Sequence, residues 1–222
     1  TKAQEWIESL ADTPFFLWLT FAEPHNPFQA PEPYYSMFPP ESLPPCRGGE
    51  DALADKGYRW QWLRDAWDTA IHGYAGQLDR TRANYHGMLR LIDDQVKRFV
   101  SFLDEKGLRE DTIIVFVSDH GDFVGEYGLI RKGPDLPECL TRIPLFFTGP
   151  GIVAGETAHQ AHVSICDIMP TLCDALDVPL PDGVQGRSLW PLLTGQEYPP
   201  DEFSSIYAEH GYGGLTYTAE DD

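Results

Sequence analysis

The chain has 222 residues, with 16 basic and 35 acidic side chains and a formal net charge of −19. That length is enough for one large domain with a substantial core. Its acidity excludes a surface for nucleic acid or an anionic membrane, although a few cations in one cleft still bind an anion. No run of eighteen apolar residues is present, so no transmembrane helix is expected.

Taken in order, residues 1–11 read as the end of an amphipathic helix, with Trp6, Ile7 and Leu10 at helical spacing and a break at Pro14. Residues 15–21, Phe-Phe-Leu-Trp-Leu-Thr-Phe, read as a buried strand ending on Glu23-Pro24-His25-Asn26-Pro27. Eight prolines from Pro24 to Pro45 forbid regular structure, and the aromatics Phe28, Tyr34, Tyr35 and Phe38 predict a functional loop packed over something. Helix is expected over most of 62–106. One face carries Tyr85, Met88, Leu89, Ile92, Val96, Phe99, Val100 and Leu103, and Gly107 is the cap.

Residues 112–117 are rich in β-branched and aromatic side chains and read as a strand buried on both faces. With the 15–21 strand and the intervening helix they predict a right-handed, parallel βαβ crossover. A glycine-punctuated loop follows over 122–137, then a third strand at 144–148, a helix at 165–176 with Pro170 in its first turn, and a loop at 183–193 with one apolar patch. A last strand is expected at 205–209, before an acidic end at Asp221-Asp222. The cysteines Cys46, Cys139, Cys166 and Cys173 lack a Cys-x-x-Cys spacing and read as ordinary buried thiols; a helical spacing of about 10 Å excludes a Cys166–Cys173 disulfide.

The 112–117 strand stops on Ser118-Asp119-His120-Gly121. That puts a carboxylate and an imidazole at the carboxyl end of a strand, where α/β sheets place their ligands. Neighbours can ligate one cation only where the chain turns, because inside a strand they point to opposite faces. The plain alternative is a turn-capping Asp119 beside a surface His120. Lys132, next to Arg131 and thirteen residues past Asp119, is a point charge for a sulfate or phosphate oxygen, or else a solvated cation. His25 sits in a rigid aromatic loop, where an imidazole binds an oxyanion, protonates a leaving group, or simply packs. Trp60, Trp62 and Trp67 are read as core, with sugar stacking as the alternative.

Over residues 14–195 the chain resembles a sulfatase of the alkaline phosphatase superfamily. The matching text is Glu23-Pro24-His25-Asn26-Pro27-Phe28, 85–96 with Ile92-Asp93-Asp94, 112–121, Gly125-Glu126-Tyr127-Gly128-Leu129-Ile130-Arg131-Lys132, Arg142-Ile143-Pro144-Leu145 and Pro170-Thr171-Leu172. The resemblance implies an α/β fold of alkaline phosphatase type, with a mostly parallel sheet flanked by helices. It makes residues 1–222 a partial catalytic domain, incomplete at the N-terminal and C-terminal sides, with 24–45 as a proline-rich loop. It also implies that Asp119 and His120 are metal ligands, that Lys132 and His25 are catalytic and bind the sulfate, and that Asp93 and Asp94 are helix-face residues.

The family's usual metal is calcium, and His120, where asparagine is common, leaves manganese or zinc open. Tyr127 stands where a histidine is common, and Pro134-Asp135-Leu136-Pro137 replaces an aromatic. No Cys-x-Pro-x-Arg or Ser-x-Pro-x-Arg segment exists: Cys46 precedes Arg47-Gly48-Gly49 and Cys139 precedes Leu140-Thr141-Arg142. The formylglycine nucleophile and a paired-aspartate metal site are thus expected in a missing N-terminal half, without which this chain is expected to be inactive. The expected partner is a sulfated small molecule or glycan. The alternatives are a phosphonate monoester or phosphodiester hydrolase of the same superfamily and a noncatalytic relative that binds a metal or glycan. Residues 24–45 and 59–82 are expected to wall the substrate pocket.

Overall fold

Caps and apolar spacing set the helices of this chain. The computed structural model describes residues 1–46, 48, 50–133, 135–155 and 159–209. They form two units, Thr1–Arg109 with Asp122–Gly133, and Glu110–Gly121 with Pro134–Asp222. The expected acidic end at Asp221-Asp222 and Pro134 of the expected loop lie outside the described residues.

In the first unit, α1 (Lys2–Ser9) starts at an N-cap threonine, Thr1, and buries Ile7. The proline-rich segment holds one short helix, α2 (Tyr34–Met37), and a 3₁₀ turn at Pro40–Ser42. The sequence had excluded regular structure there; single turns survive because Tyr34–Met37 is proline-free and proline is tolerated in a first turn. Two longer helices follow, α3 (Tyr58–Ala70) and α4 (Leu78–Glu105). α4 buries Met88, Ile92 and Leu103 from the expected face, with Ala83, Gly87 and Phe102 beside them, while Leu89 is exposed. It ends on Gly107 at φ +67°, where the Gly107 N–H donates to the Asp104 carbonyl (3.0 Å) and the Leu108 N–H to that of Leu103 (2.9 Å). This left-handed cap satisfies carbonyls that the last turn would otherwise leave open.

The proline-rich segment packs over α4. The Tyr34 hydroxyl donates to Asp94 (2.9 Å), the Asn84 amide to the Phe28 carbonyl (2.9 Å), and Phe28 meets Tyr85 edge to face at 6.1 Å. Gly87 permits the close approach, because a Cβ there would stand 2.5 Å from the Tyr34 carbonyl oxygen. Asp93 and Asp94 sit on the helix face as expected and pair with Arg90 at 3.8 and 2.7 Å.

In the second unit, β1 (Ile114–Val117) and β2 (Leu145–Thr148) pair antiparallel, with Ile114 opposite Thr148 and Val117 opposite Leu145. The Phe116 and Phe146 rings stack across the pair at 5.2 Å. α5 (Glu138–Thr141) lies between the strands in sequence, and α6 (Ile168–Ala175) and α7 (Trp190–Thr194) follow them. The core here includes two polar groups. Buried Asp167 accepts the Ser164 and Arg187 amides (2.8 Å each), and buried Thr171 donates to the Asp167 carbonyl (2.5 Å) and accepts from the Leu189 amide (2.8 Å). Each side-chain oxygen of the two residues has a hydrogen-bond partner, so neither is buried unsatisfied.

Several expectations change. Among the described residues the sheet has two antiparallel strands, and the mostly parallel sheet and its βαβ crossover are not formed. Residues 15–21 are not a strand, and Phe16 (67 %) and Trp18 (72 %) are exposed. An apolar run gives a segment strand propensity, but a strand exists only where a second backbone pairs with it. Residues 205–209 likewise form no strand, and Tyr207 is 80 % exposed. β1 is part-buried throughout rather than buried on both faces. The stretch 183–193, read as loop, ends in the start of α7, with Pro191 in its first turn and Gly195 at φ +71° beyond its end. No disulfide joins Cys166 to Cys173, as expected, but none of the four cysteines is fully buried: Cys166 is exposed and the others are half-buried.

Candidate functional site

The polar turn after β1 holds the two metal-ligand candidates. Apolar side chains carry the strand to Val117, and the chain then turns at Ser118, whose hydroxyl donates to the His120 carbonyl (2.7 Å). The turn lets neighbours face the same way: one Asp119 carboxylate oxygen accepts the His120 amide (2.9 Å), and the other lies 3.4 Å from His120 Nε2. The His120 Nδ1 is 2.7 Å from the Gly121 carbonyl oxygen. A carbonyl only accepts, so Nδ1 carries the proton and the Nε2 of a neutral ring presents its lone pair. Metal-binding histidines use this same arrangement, with one nitrogen donating to the backbone and the other turned to the metal.

Two lone-pair donors at that separation suit a shared cation, since donors about 2.4 Å from an ion and at right angles to each other are about 3.4 Å apart. Asp119 is open to solvent, its side chain 83 % exposed. The pair fits a divalent cation but supplies two donors only. Among the described residues no group of three His, Cys, Asp or Glu side chains is gathered for a metal. Gly121 is required by packing: its amide donates to the Leu140 carbonyl (2.8 Å), and a Cβ would fall 1.9 Å from the Cys139 carbonyl oxygen.

Lys132 and His25 belong to the first unit. Lys132 is exposed at the exit of the glycine-punctuated loop, whose middle is a 3₁₀ turn at Glu126–Gly128. His25 is exposed on the proline-rich segment, its Nδ1 2.8 Å from the Asn26 carbonyl oxygen, so the same reasoning leaves Nε2 as the accepting nitrogen. Thus Asp119 and His120 share one turn, whereas His25 and Lys132 sit on separate segments of the other unit.

Residues 24–45 and 59–82, the segments expected to wall a pocket, touch each other, and the second also touches the glycine-punctuated loop. Arg82 donates to the Pro44 carbonyl, Arg80 stacks on the Tyr35 ring at 4.7 Å, and the Tyr74 hydroxyl donates to the Gly128 carbonyl (2.6 Å). Of the tryptophans, Trp62 is 55 % exposed. Trp60 packs on Tyr127 (4.9 Å) and Phe123 (5.7 Å), and Trp67 lies under the Arg131 guanidinium (4.7 Å). Lys56, which the sequence did not single out, places its ammonium 5.2 Å from the Trp60 ring and 5.3 Å from that of Tyr127. Tyr127 is therefore held in an aromatic and cationic corner. Nothing in the spacing of Lys56 and Tyr127, 71 residues apart, announces that contact.

A family model described as Sulfatase matches residues 1–178. An arylsulfatase of Clostridium perfringens is 34 % identical over 90 % of this chain and 41 % of that protein. The multifunctional alkaline phosphatase superfamily protein PehA of Trinickia caryophylli is 32 % identical over 97 % of this chain and 44 % of its own length. Among solved structures, the phosphonate monoester hydrolase of Agrobacterium radiobacter superposes with a TM-score of 0.78 at 29 % identity, covering 90 % of this chain and 42 % of that one. The chain spans about two fifths of the length of the curated relatives it matches. With a family model covering most of its residues, the chain belongs to the sulfatase family.

Proposed function

We propose that this chain is the part of a metal-dependent sulfatase that contributes metal ligands and sulfate-binding residues for hydrolysis of a sulfate ester. The observation that carries the reading is the Asp119–His120 pair, whose carboxylate oxygen and Nε2 lone pair lie 3.4 Å apart while Nδ1 is committed to a backbone carbonyl. A divalent cation bound there supplies Lewis acidity toward the ester oxygens. Calcium follows the family pattern, and the imidazole donor also suits manganese or zinc. The Lys132 ammonium binds a sulfate oxygen as a point charge, and His25 holds the anion or delivers a proton to the leaving oxygen. The nucleophile, a formylglycine in the family's pattern, lies outside this chain, so the 222 residues alone are inactive. The substrate is a sulfated small molecule or glycan.

A phosphonate monoester or phosphodiester is the second reading. The superposition on a phosphonate monoester hydrolase favours it, and so does the chemistry, since one cationic edge accepts either tetrahedral anion.

The test uses the full-length protein with an aryl sulfate and an aryl phosphonate monoester, and measures bound metal alongside turnover. Asp119→Asn and His120→Ala are expected to weaken metal binding by at least the roughly tenfold to hundredfold that loss of a ligand's hydrogen-bond partner costs, and to lower kcat/KM with it. Unchanged metal content and rate in both variants would remove the ligand assignment. A preference for the phosphonate by orders of magnitude would replace the first reading with the second. Turnover by the isolated chain that is lost in Asp119→Asn would overturn the division of the site.

A further inference from the structure

We propose that Asp122 is a positioning residue for Lys132. The inference rests on the reading of Lys132 as the cation that binds the substrate anion. One oxygen of the Asp122 carboxylate accepts two backbone amides of its own loop, from Val124 (3.0 Å) and from Arg131 (2.9 Å). The first closes the turn that opens the loop, and the second ties the far end back to the start. Phe123 completes the clasp, its amide donating to the Arg131 carbonyl (2.8 Å). That carbonyl belongs to the peptide linking Arg131 to Lys132, while the Arg131 amide belongs to the peptide before it, so the residue from which Lys132 departs is held on one side by a carboxylate and on the other by an amide.

The clasp works against the backbone's own preference. Val124 (φ 42°), Tyr127 (φ 58°) and Arg131 (φ 65°) all occupy the left-handed region, which non-glycine residues avoid and which a β-branched valine avoids most. Three such residues within eight positions persist only where the surroundings over-determine them. Besides the clasp, Phe123 and Leu129 are buried and the Arg131 side chain is laid on Trp67. Released from Asp122, Arg131 relaxes toward negative φ and re-aims Lys132. A carboxylate is suited to this task, because a charged acceptor binds two amides more strongly than a neutral one.

The experiment is a double-mutant cycle on the full-length enzyme with an aryl sulfate, joined to amide hydrogen exchange at Arg131. Asp122→Ala is expected to lower kcat/KM by about a hundredfold, the cost of a misplaced catalytic group, and to speed exchange of the Arg131 amide. In a Lys132→Ala background the same change is expected to cost less than about threefold, because the group it positions is already gone. Asp122→Asn keeps an accepting oxygen, holds the Arg131 amide protected and stays within about tenfold of the parent. Equal losses from Asp122→Ala in both backgrounds, or an Asp122→Asn variant as damaged as Asp122→Ala, would overturn the inference and leave the role of Lys132 standing. A fully active Lys132→Ala enzyme would overturn both.

Discussion

His86 shows how one side chain ties local chemistry to stability. It lies on α4 against the Phe38 ring at 5.6 Å, and partial burial together with the Arg82 guanidinium one turn earlier pushes its pKa below the usual 6.5. The folded protein therefore holds this ring neutral at a pH where the unfolded chain protonates it. Where the unfolded state binds more protons, stability falls as pH falls. The contribution of His86 is present above about pH 6.5 and is lost below it, toward the lowered folded value. The urea midpoint should drop between pH 7.5 and 5.5, and by less in His86→Phe. An identical drop in the variant would mean that other groups carry the dependence.

At the scale of elements, two glycines of the α4 region separate two physical roles. Gly87 is a contact residue. Alanine there gains about 1 kcal/mol of helix propensity, but its Cβ would meet the Tyr34 carbonyl, and overpacking costs about 1–3 kcal/mol. Gly87→Ala is thus expected to destabilise the chain and to loosen α2 from α4, visible as faster hydrogen exchange around Tyr34. Gly107 is a conformational residue, with open space where a Cβ would stand and φ at +67°. Gly107→Ala should cost about 1–2 kcal/mol without disturbing the proline-rich segment. Urea denaturation measures both, and a Gly87→Ala variant more stable than the parent would show that the contact yields.

These same elements show what was legible in the sequence. Periodicity located α4 and the cap at Gly107, because helical spacing and a left-handed glycine are local signals. The switch from Val117 to Asp119-His120 located the candidate ligands for the same reason. The pairing of β1 with β2, and the absence of a strand at 15–21, depend on which backbone lies alongside, which no local pattern encodes. The helix α7 did carry its signals, Pro191 and Gly195, but five residues are too few to stand out. Asp122 was readable as a turn-former from its side chain two residues before an amide. Its second bond, nine residues away, was not.

At the scale of the whole molecule, the exposed apolar side chains gather meaning together. Phe16 and Trp18 on the unpaired 15–21 segment and Phe146 on β2 (57 %) leave aromatic faces in water, and on the proposed reading, in which this chain is part of a longer sulfatase, the rest of that protein covers them. The isolated 222 residues should therefore bind a dye for exposed apolar surface, and the full-length protein far less. Equal binding by both would show these faces to be genuine surface. The division into units has a temporal consequence as well. The first unit is discontinuous: Phe123, Leu129 and Ile130, all buried, reach it only after the chain has left for the second unit and returned. A ribosome adding about 5–20 residues each second delivers Arg109 some seconds before Gly133. During that interval α1 to α4 wait with a gap in their core, and the clasp that aims Lys132 is among the last parts of the unit to be made.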